Sequence, residues 1–439
     1  MIDVFTLSDD KELTDEQLLK FIRANDDKTT NRYNKLWKAY NNDYDIFHEK
    51  AKQKWQPDNR ASVNLARVIV DTFEGFFIGV PVKVTSDDEN VDEYINTLDE
   101  LTDADDINAE LSSIVSIFGR GYRITFVDED GDVGSAYLDP RESFAIYNRS
   151  ITPRMRYFVR TYEDEDGNRQ GSISDDVMVH YFTVDGDEIK WGEQYAHGFN
   201  GVPAVEFVQN RARRGIFEDV LPLIDFMNKT LSDKMNDIAA LAANIIKIIG
   251  PKFNKAQLDA LRYYHILNVE TRDAQSAIVD YLTPPNGDSS QEHLLDRLER
   301  LIFEIAMICD ITNDNFAAAS GIAIRWKMLP MVNLASNKWR KFEHGLKVYY
   351  KLVCSNPVTP LGEDDWATLR FVHTLNYPVN ISEEAEVADK LAGITSKETQ
   401  LGVLSIVDDP AKEVERINAE AAAELAAASG GYATDRTQK

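Results

Sequence analysis

Two long helical patterns enclose a short segment of mixed pattern, and this arrangement constrains the fold more than any other feature of the chain. Residues 213–244 have helical periodicity, with Pro222 near the first turns, where proline is tolerated. Residues 289–311 begin with a serine that can cap a helix and carry apolar side chains on one side, namely Leu294, Leu295, Leu298, Leu301, Ile302 and Ile305. Residues 245–287, between the two helices, predict short strands around one helix. Two such helices cannot bury all of their apolar surface within one hairpin, so we expect them to pack against other copies of the chain.

The part of the chain before these helices predicts further helices followed by β-hairpins. Residues 1–60 are dense in charged and aromatic residues, and residues 64–84 predict a helix that leads into a strand. Between residues 111 and 214, short alternating segments are separated by Asp-Gly turns, which predicts hairpins. These acidic turns lack the spacing and the closing glutamate of a calcium loop. Residues 86–106 contain ten acids and no base, which fits a solvated helix face or an acidic interaction surface equally well.

After the second long helix, a loop of small residues leads into the longest helical pattern of the chain. The loop spans residues 312–320 and the helix spans residues 321–354, in which Pro330 predicts a kink. The helix carries seven bases and one acid, whereas the whole chain has a formal net charge of −26. Residues 366–380 predict a strand, and residues 382–425 predict two or three helices before a frayed tail.

The small-residue loop does not have the pattern of a phosphate-binding loop. A Walker A loop needs several glycines followed by Lys-Ser or Lys-Thr, but residues 314–327 contain one glycine. Ala317, Ala318 and Ala319 would also bring Cβ atoms into the phosphate position. The sequence contains no Cys-x-x-Cys, no Gly-x-Ser-x-Gly and no histidine pair with metal-ligand spacing. We therefore predict no catalytic residues, no metal and no cofactor, and expect that the protein is not an enzyme.

Charge and hydropathy restrict the partners and the environment. The chain has 74 acidic and 48 basic residues. This excess of acids argues against tight, general binding to nucleic acid, which usually requires a basic surface. The longest apolar run, residues 238–250, is too short to cross a bilayer, and the N-terminus lacks the pattern of a signal peptide. Cys309 and Cys354 lie in apolar helical patterns, so we expect buried thiols rather than disulfides. These features predict a soluble protein that is intracellular where it is made.

The order of the elements resembles that of a known family. A mixed N-terminal region is followed by a long helix, a small insert, a second long helix, the small-residue loop, a very long helix, a strand and terminal helices. In this order the chain resembles the portal proteins of tailed double-stranded DNA bacteriophages, in particular those of siphophages of Gram-positive hosts. The resemblance rests on five blocks: "NLARVIVDTFEGFFIGVPV" (64–82), residues 119–148, residues 201–233, "NFAAASGIAIRWKMLPM" (315–331) and "LNYPVNISEEAE" (375–386). It implies an α+β, mainly helical fold that assembles as a ring.

The resemblance also implies a division of the chain into the parts of the portal family. These parts are a wing made of a helical N-terminus and β-hairpins (1–214), two stem helices (215–244 and 288–311), a small α/β clip (245–287), a tunnel loop (312–320), a long kinked spine helix with a strand that returns to the wing (321–380), and a helical crown with a flexible tail (381–439).

The function implied by the resemblance is a channel at one capsid vertex through which genomic DNA is packaged and ejected. Its ring would contain about twelve subunits, or about thirteen in isolation. The implied partners are double-stranded DNA that passes without sequence specificity, the terminase large subunit, the major capsid and scaffolding proteins and a head–tail connector protein, with no membrane. The protein would belong to the virion, at the capsid vertex, and to the host cytoplasm during assembly. Two alternatives stay open: another head structural protein, such as a minor capsid or connector component, and a DNA-packaging enzyme, against which the missing Walker A motif argues.

Three sets of residues are the candidate sites. The tunnel loop would line the channel with Asn313, Asn315, Phe316, Ala317, Ala318, Ala319 and Ser320, and Phe316 would be either an anchor beneath the loop or a contact to DNA. The spine helix would use its basic residues either to face DNA or to neutralise the acidic wing of the same or an adjacent subunit, and these are Arg325, Lys327, Lys338, Arg340 and Lys341. The second stem helix would pack between subunits through Leu294, Leu298, Ile302 and Ile305.

Overall fold

The computed structural model describes residues 4–53, 56–242, 246–249, 254–256, 259, 278–281, 288–310, 321–377, 381–404, 406–407 and 410–430. The fold is α+β, and the chain divides into two compact units, Met1–Leu375 and Asn376–Lys439.

The first unit begins with a short strand and an unbroken helical rod. Strand β1 (Phe5–Leu7) precedes helix α1 (Asp15–Lys28), which starts with a capping box between Thr14 and Gln17. Helix α1 continues through a π-helical segment (Thr29–Tyr33) into helix α2 (Asn34–Tyr40), and a 3-10 turn follows at Asp45–His48. A π-helical turn holds one more residue than an α-turn, so this segment changes the register between α1 and α2.

Three helices build the main core of this unit. They are α3 (Leu65–Phe77), α4 (Glu89–Leu101) and α5 (Ala104–Phe118). Residues 111–118, which the sequence assigned to the β region, are the second half of α5. That assignment was wrong because the apolar residues there, from Leu111 to Phe118, recur at helical spacing and lie buried in the core. Helix α5 ends at Gly119, which has a φ of 84°, and a Cβ there would meet the carbonyl oxygen of Arg213 at 2.1 Å.

Two mainly antiparallel sheets contain the predicted hairpins. Strand β2 (Lys83–Thr85) lies outside both of them. Besides β1, their strands are β3 (Arg120–Val127), β4 (Val133–Leu138), β5 (Ser143–Asn148), β6 (Met155–Glu163), β7 (Arg169–Ser174), β8 (Met178–Asp185), β9 (Glu188–Ala196) and β10 (Ala204–Val208). The larger sheet has the order β1-β5-β6-β7-β8-β9, with β1 parallel to β5, and the smaller one has the order β10-β3-β4. The turns of the hairpins β3–β4, β6–β7 and β8–β9 place Gly131, Gly167 and Gly186 at positive φ, as their Asp-Gly sequences predict.

Three long helices complete the first unit. Helix α6 (Leu221–Ala242) packs against α7 (Asp288–Ala306), and α8 (Gly321–Ser355) runs through Pro330 without interruption. Between α6 and α7, the described residues include an antiparallel pair, β11 (Ile246–Ile249) and β12 (Ile278–Tyr281), while most of the predicted clip lies outside them. The strand predicted over residues 366–380 is shorter than expected: a 3-10 turn at Asp365–Thr368 precedes β13 (Arg370–Val372), which pairs with β2.

The second unit is helical in its described residues. It contains α9 (Ile381–Lys390), α10 (Lys397–Leu401) and α11 (Pro410–Gly430). The hydroxyl oxygen of Ser396 accepts a hydrogen bond from the backbone N–H of Thr399, so Ser396 caps α10. Ser382 is the second residue of α9. Among all the helices described, none has the length and apolar character needed to cross a membrane.

Candidate functional site

A buried cluster of polar groups joins the middle of α8 to α3 and α5. The side chain of Lys338 is fully buried, and its Nζ lies 2.7 Å from Glu74 Oε1, 3.0 Å from the Ser112 carbonyl oxygen and 2.9 Å from Ser116 Oγ. The hydroxyls of Ser112 and Ser116 also donate to the Glu74 carboxylate. Burial lowers the pKa of Lys338, and the Glu74 carboxylate opposes that effect. These contacts fix α8 against the core of its own chain.

The position of Lys338 corrects one of the sequence predictions. A DNA-facing or inter-subunit role for this residue was wrong, because its ammonium group lies inside the chain and is bonded to Glu74. Lys338 instead pairs with Glu74 of α3, which lies in the predicted wing of the same chain. Lys347 pairs with an acid of its own helix, because its Nζ lies 2.6 Å from Glu343 Oε1.

Aromatic contacts fix the C-terminal half of α8. The guanidinium carbon of the buried Arg123 lies 3.6 Å from the ring centroid of Tyr349. The hydroxyl of Tyr350 donates to the Asp99 carboxylate at 2.7 Å. Burial raises the pKa of Asp99 to about 6, while the bond from Tyr350 and the charge of Arg123 oppose that shift. The half of α8 between Lys338 and Tyr350 is therefore held on the strands and helices of the first unit.

The other basic residues of α8 that were predicted as site residues lie nearer the surface. Arg325, Lys327 and Arg340 are exposed and Lys341 is half-buried. Arg340 donates to Asn337 Oδ1 at 3.2 Å on the same helix. Their role at a channel or between subunits stays a prediction.

The four predicted stem contacts separate into two pairs. Leu298 and Ile302 are buried in the main apolar core of the first unit, where α7 packs against α6. Their assignment to a contact between subunits was therefore wrong, because their side chains are already covered within one chain. Leu294 and Ile305 are 39% and 50% exposed, so they remain candidates for such a contact.

Further apolar side chains are exposed on the same group of helices. On α6 they include Phe226, Met235 and Ile238, of which Ile238 is 56% exposed. Near the start of α8, Leu329 and Trp326 are exposed, with Trp326 at 70%. Large apolar side chains that share an exposed surface are typical of a protein interface. The sequence prediction missed the residues of α6 and α8, because helical periodicity alone does not show which apolar positions stay uncovered.

The tunnel-loop residues Asn313 to Ser320 lie outside the described residues, so their predicted role stays a prediction. Within the described chain, no group of three or more His, Cys, Asp or Glu side chains is arranged to hold a metal ion. Cys354 is buried, whereas Cys309 is only partly buried, which differs from the expectation of two buried thiols.

Comparison with known proteins gives a consistent result over most of the chain. The family model described as phage portal protein, SPP1 Gp6-like, matches residues 19–426. The chain is 24% identical over 409 residues to the portal protein of Bacillus phage SPP1, and the match covers 86% of this chain and 79% of that protein. It is 23% identical over 396 residues to the portal protein of Clostridium phage phiCD119, with 83% and 85% covered.

Proposed function

Because the chain belongs to the SPP1 Gp6-like family of phage portal proteins, we propose that its described surfaces serve the assembly of a portal ring of about twelve subunits. Phage portal function follows from the family, and the protein is a component of the virion capsid. The ring forms the channel at one capsid vertex through which DNA is packaged and later ejected. The family is structural rather than enzymatic, which agrees with the interpretation of the sequence.

The observation that supports ring assembly best is the exposed apolar surface of the stem helices. Three apolar side chains are exposed in the single chain, namely Leu294 and Ile305 on α7 and Ile238 on α6. Burying apolar side chains of this size stabilises a contact by about 1.5–3 kcal/mol each when burial is complete. A cyclic assembly requires each subunit to present two different complementary surfaces, one to each neighbour. We assign α6, α7 and the start of α8 to these surfaces.

The parts of the chain take the family roles in this proposal. Residues 1–214 and the spine helix with its strand (321–380) form the wing region, α6 and α7 are the stem helices, and residues 381–439 form the crown and tail. The clip (245–287) docks the terminase large subunit during packaging and a head–tail connector protein afterwards. The wing meets the major capsid and scaffolding proteins, and assembly takes place in the host cytoplasm.

A direct test is the oligomeric state of the purified protein. Negative-stain microscopy and mass photometry should show rings with a central hole, containing about twelve or about thirteen subunits. A folded protein that stays monomeric at micromolar concentration would contradict the proposal.

A second test addresses the tunnel loop. We propose that Asn313, Asn315, Phe316, Ala317, Ala318, Ala319 and Ser320 line the narrow part of the channel, where small side chains keep the bore wide. Replacing Ala318 by Trp should leave ring formation unchanged and slow packaging, so that heads contain less than full-length DNA. The matched control is Ala318→Ser, which adds little bulk. Full-length packaging at the normal rate by the Trp variant would show that the loop only connects two helices.

A further inference from the structure

Polar side chains on α6 bind the backbone of the segment that precedes α3. Asn236 Oδ1 accepts a hydrogen bond from the N–H of Asn59 at 2.6 Å, and its Nδ2 donates to the Asn59 carbonyl oxygen at 3.2 Å. Ser232 Oγ accepts from the N–H of Ala61 at 2.9 Å and donates to the Ala61 carbonyl oxygen at 3.1 Å. Each of these side chains therefore satisfies both backbone groups of one residue, as a neighbouring β-strand would.

A third contact continues the series. Asn228 Oδ1 accepts from the N–H of Val63 at 2.8 Å. Residues four apart on a helix are separated by about 6 Å along its axis, and residues two apart on an extended chain are separated by about 6.6 Å. Successive side chains of α6 can therefore meet successive backbone groups. We call residues 59–63 the strap, and Asn228, Ser232 and Asn236 the ladder.

The residues between these three, Arg60 and Ser62, use their side chains to bond to a different part of the chain. Arg60 Nη1 donates to the Phe47 carbonyl oxygen at 2.9 Å, and Ser62 Oγ donates to Asn42 Oδ1 at 2.7 Å. The strap is therefore bonded to α6 on one side and to the segment after α2 on the other.

The strap is also continuous with the buried polar cluster. It leads directly into α3, whose first turn is capped by Asn64. Further along α3, Glu74 bonds to Lys338 of α8. One short stretch of chain thus connects α6 with the core element that holds α8.

We propose that the ladder residues are positioning residues that fix α6, along its axis, against the wing core by recognising the backbone of the strap. All three ladder side chains are buried, so a shift of α6 by one turn would leave the Asn236 side chain and the Val63 N–H without these partners. Apolar packing alone is less specific for register, because similar side chains recur every turn. The consequence for the ring rests on the proposed function: closure with one subunit number requires the same stem position in every subunit.

The first experiment measures hydrogen exchange of the intact purified protein at single-residue resolution. The variant Ser232→Ala removes the acceptor of the Ala61 amide, and exchange at that amide should become at least tenfold faster. The matched control is Thr230→Ala on the same helix, because Thr230 Oγ1 bonds to the Phe226 carbonyl oxygen within α6. The control should leave exchange at Asn59, Ala61 and Val63 within twofold of the original protein. Unchanged exchange at Ala61 in Ser232→Ala would overturn the ladder.

The second experiment counts subunits by native mass spectrometry. The double variant Ser232→Ala/Asn236→Ala should give a mixture of ring sizes or open arcs, whereas Thr230→Ala should give the distribution of the original protein. A single, unchanged subunit number in the double variant would overturn the positioning role. Absence of rings in the original protein would count against the proposed function instead, and the exchange result would still decide whether the ladder holds the strap.

Discussion

The surroundings of Lys338 provide an acceptor for each donor of its ammonium group. An ammonium group has three N–H donors, and Glu74 Oε1, the Ser112 carbonyl oxygen and Ser116 Oγ provide the acceptors. The two rings of Phe73 and Phe77 lie close to the same ammonium group. Since a buried ion pair is costly to break but not necessarily stabilising overall, the test must separate these two quantities.

Removing only the acid should destabilise the protein strongly. Glu74→Ala leaves a buried ammonium group without its counter-charge, and we expect a loss of about 3–5 kcal/mol in the free energy of unfolding. The double variant Glu74→Leu/Lys338→Met should recover most of that loss, because apolar side chains can fill a similar volume. Thermal and denaturant unfolding followed by circular dichroism would measure both effects.

The control for this prediction lies on the same helix. Lys347→Met removes a partly exposed pair with Glu343, and surface pairs contribute about 0–1 kcal/mol. If Glu74→Ala cost no more than Lys347→Met, the buried cluster would have no special part in holding α8.

A second residue-scale prediction concerns Asp99. Burial raises the pKa of its carboxyl group to about 6, and the charge of Asp105 adds a smaller rise. The Tyr350 hydroxyl and the Arg123 charge oppose this shift. The native protein binds this proton more tightly than the unfolded chain, so the contribution to stability is complete at low pH. It is lost as the pH rises from about 4 to about 6.

The variant Asp99→Asn keeps an oxygen that can accept from Tyr350 and removes the titration. We expect it to match the original protein below about pH 4 and to be more stable by about 1–3 kcal/mol at pH 7.5. The measurement is the difference in melting temperature between the two proteins across this range. A difference that does not change with pH would show that Asp99 ionises as in water.

At the scale of elements, the features that depend on a local sequence pattern could be predicted, whereas contacts between distant parts of the chain could not. Asp-Gly turns act through a few neighbouring residues, and the hairpins β3–β4 and β6–β7 formed as their sequences predict. The partner of Lys338 could not be found in this way, because Glu74 is 264 positions away and one acid among many. Leu298 is buried and Ile305 is exposed because of the face of α7 that meets α6, and periodicity alone does not reveal that face.

This division leads to a prediction for α7. Ile305→Asp should leave the circular dichroism spectrum of the chain unchanged and shift mass photometry from rings to smaller species, because the proposed assembly would cover this exposed side chain between subunits. Leu298→Asp should reduce folded protein itself, since an unpaired buried charge costs several kcal/mol. Arg300→Ala, at an exposed polar position of the same helix, is the control and should preserve both fold and rings. Rings of normal size in Ile305→Asp would place the subunit contact elsewhere.

At the scale of the whole molecule, the dominant property is negative charge. Each chain carries a formal net charge of −26, so a ring of such chains repels the phosphates of DNA at long range. Contacts that neutralise phosphates would hold DNA in place. A chain with this excess of acids is therefore poorly suited to hold DNA tightly.

We accordingly expect purified rings to bind linear double-stranded DNA very weakly at about 0.15 M salt, where charges are screened beyond about 8 Å. Fluorescence anisotropy with a labelled duplex would measure the affinity. Micromolar binding that weakens steeply with salt would instead indicate a basic surface, and Arg325→Glu/Lys327→Glu would then identify it. Lys412→Glu/Arg416→Glu in α11 is the matched change of charge in the second unit.

The π-helical segment Thr29–Tyr33 has a consequence for how the gene can change in length. Deleting one of its five residues would restore a regular α-helix and rotate α1 by about 100° relative to α2. Leu18 and Ile22 of α1 pack on the larger sheet, whereas Leu36 of α2 packs in the main core, so both faces could not stay buried after such a rotation. Among related chains, the residue types on the exposed side of this segment should therefore vary freely. The number of residues in the segment should almost never change.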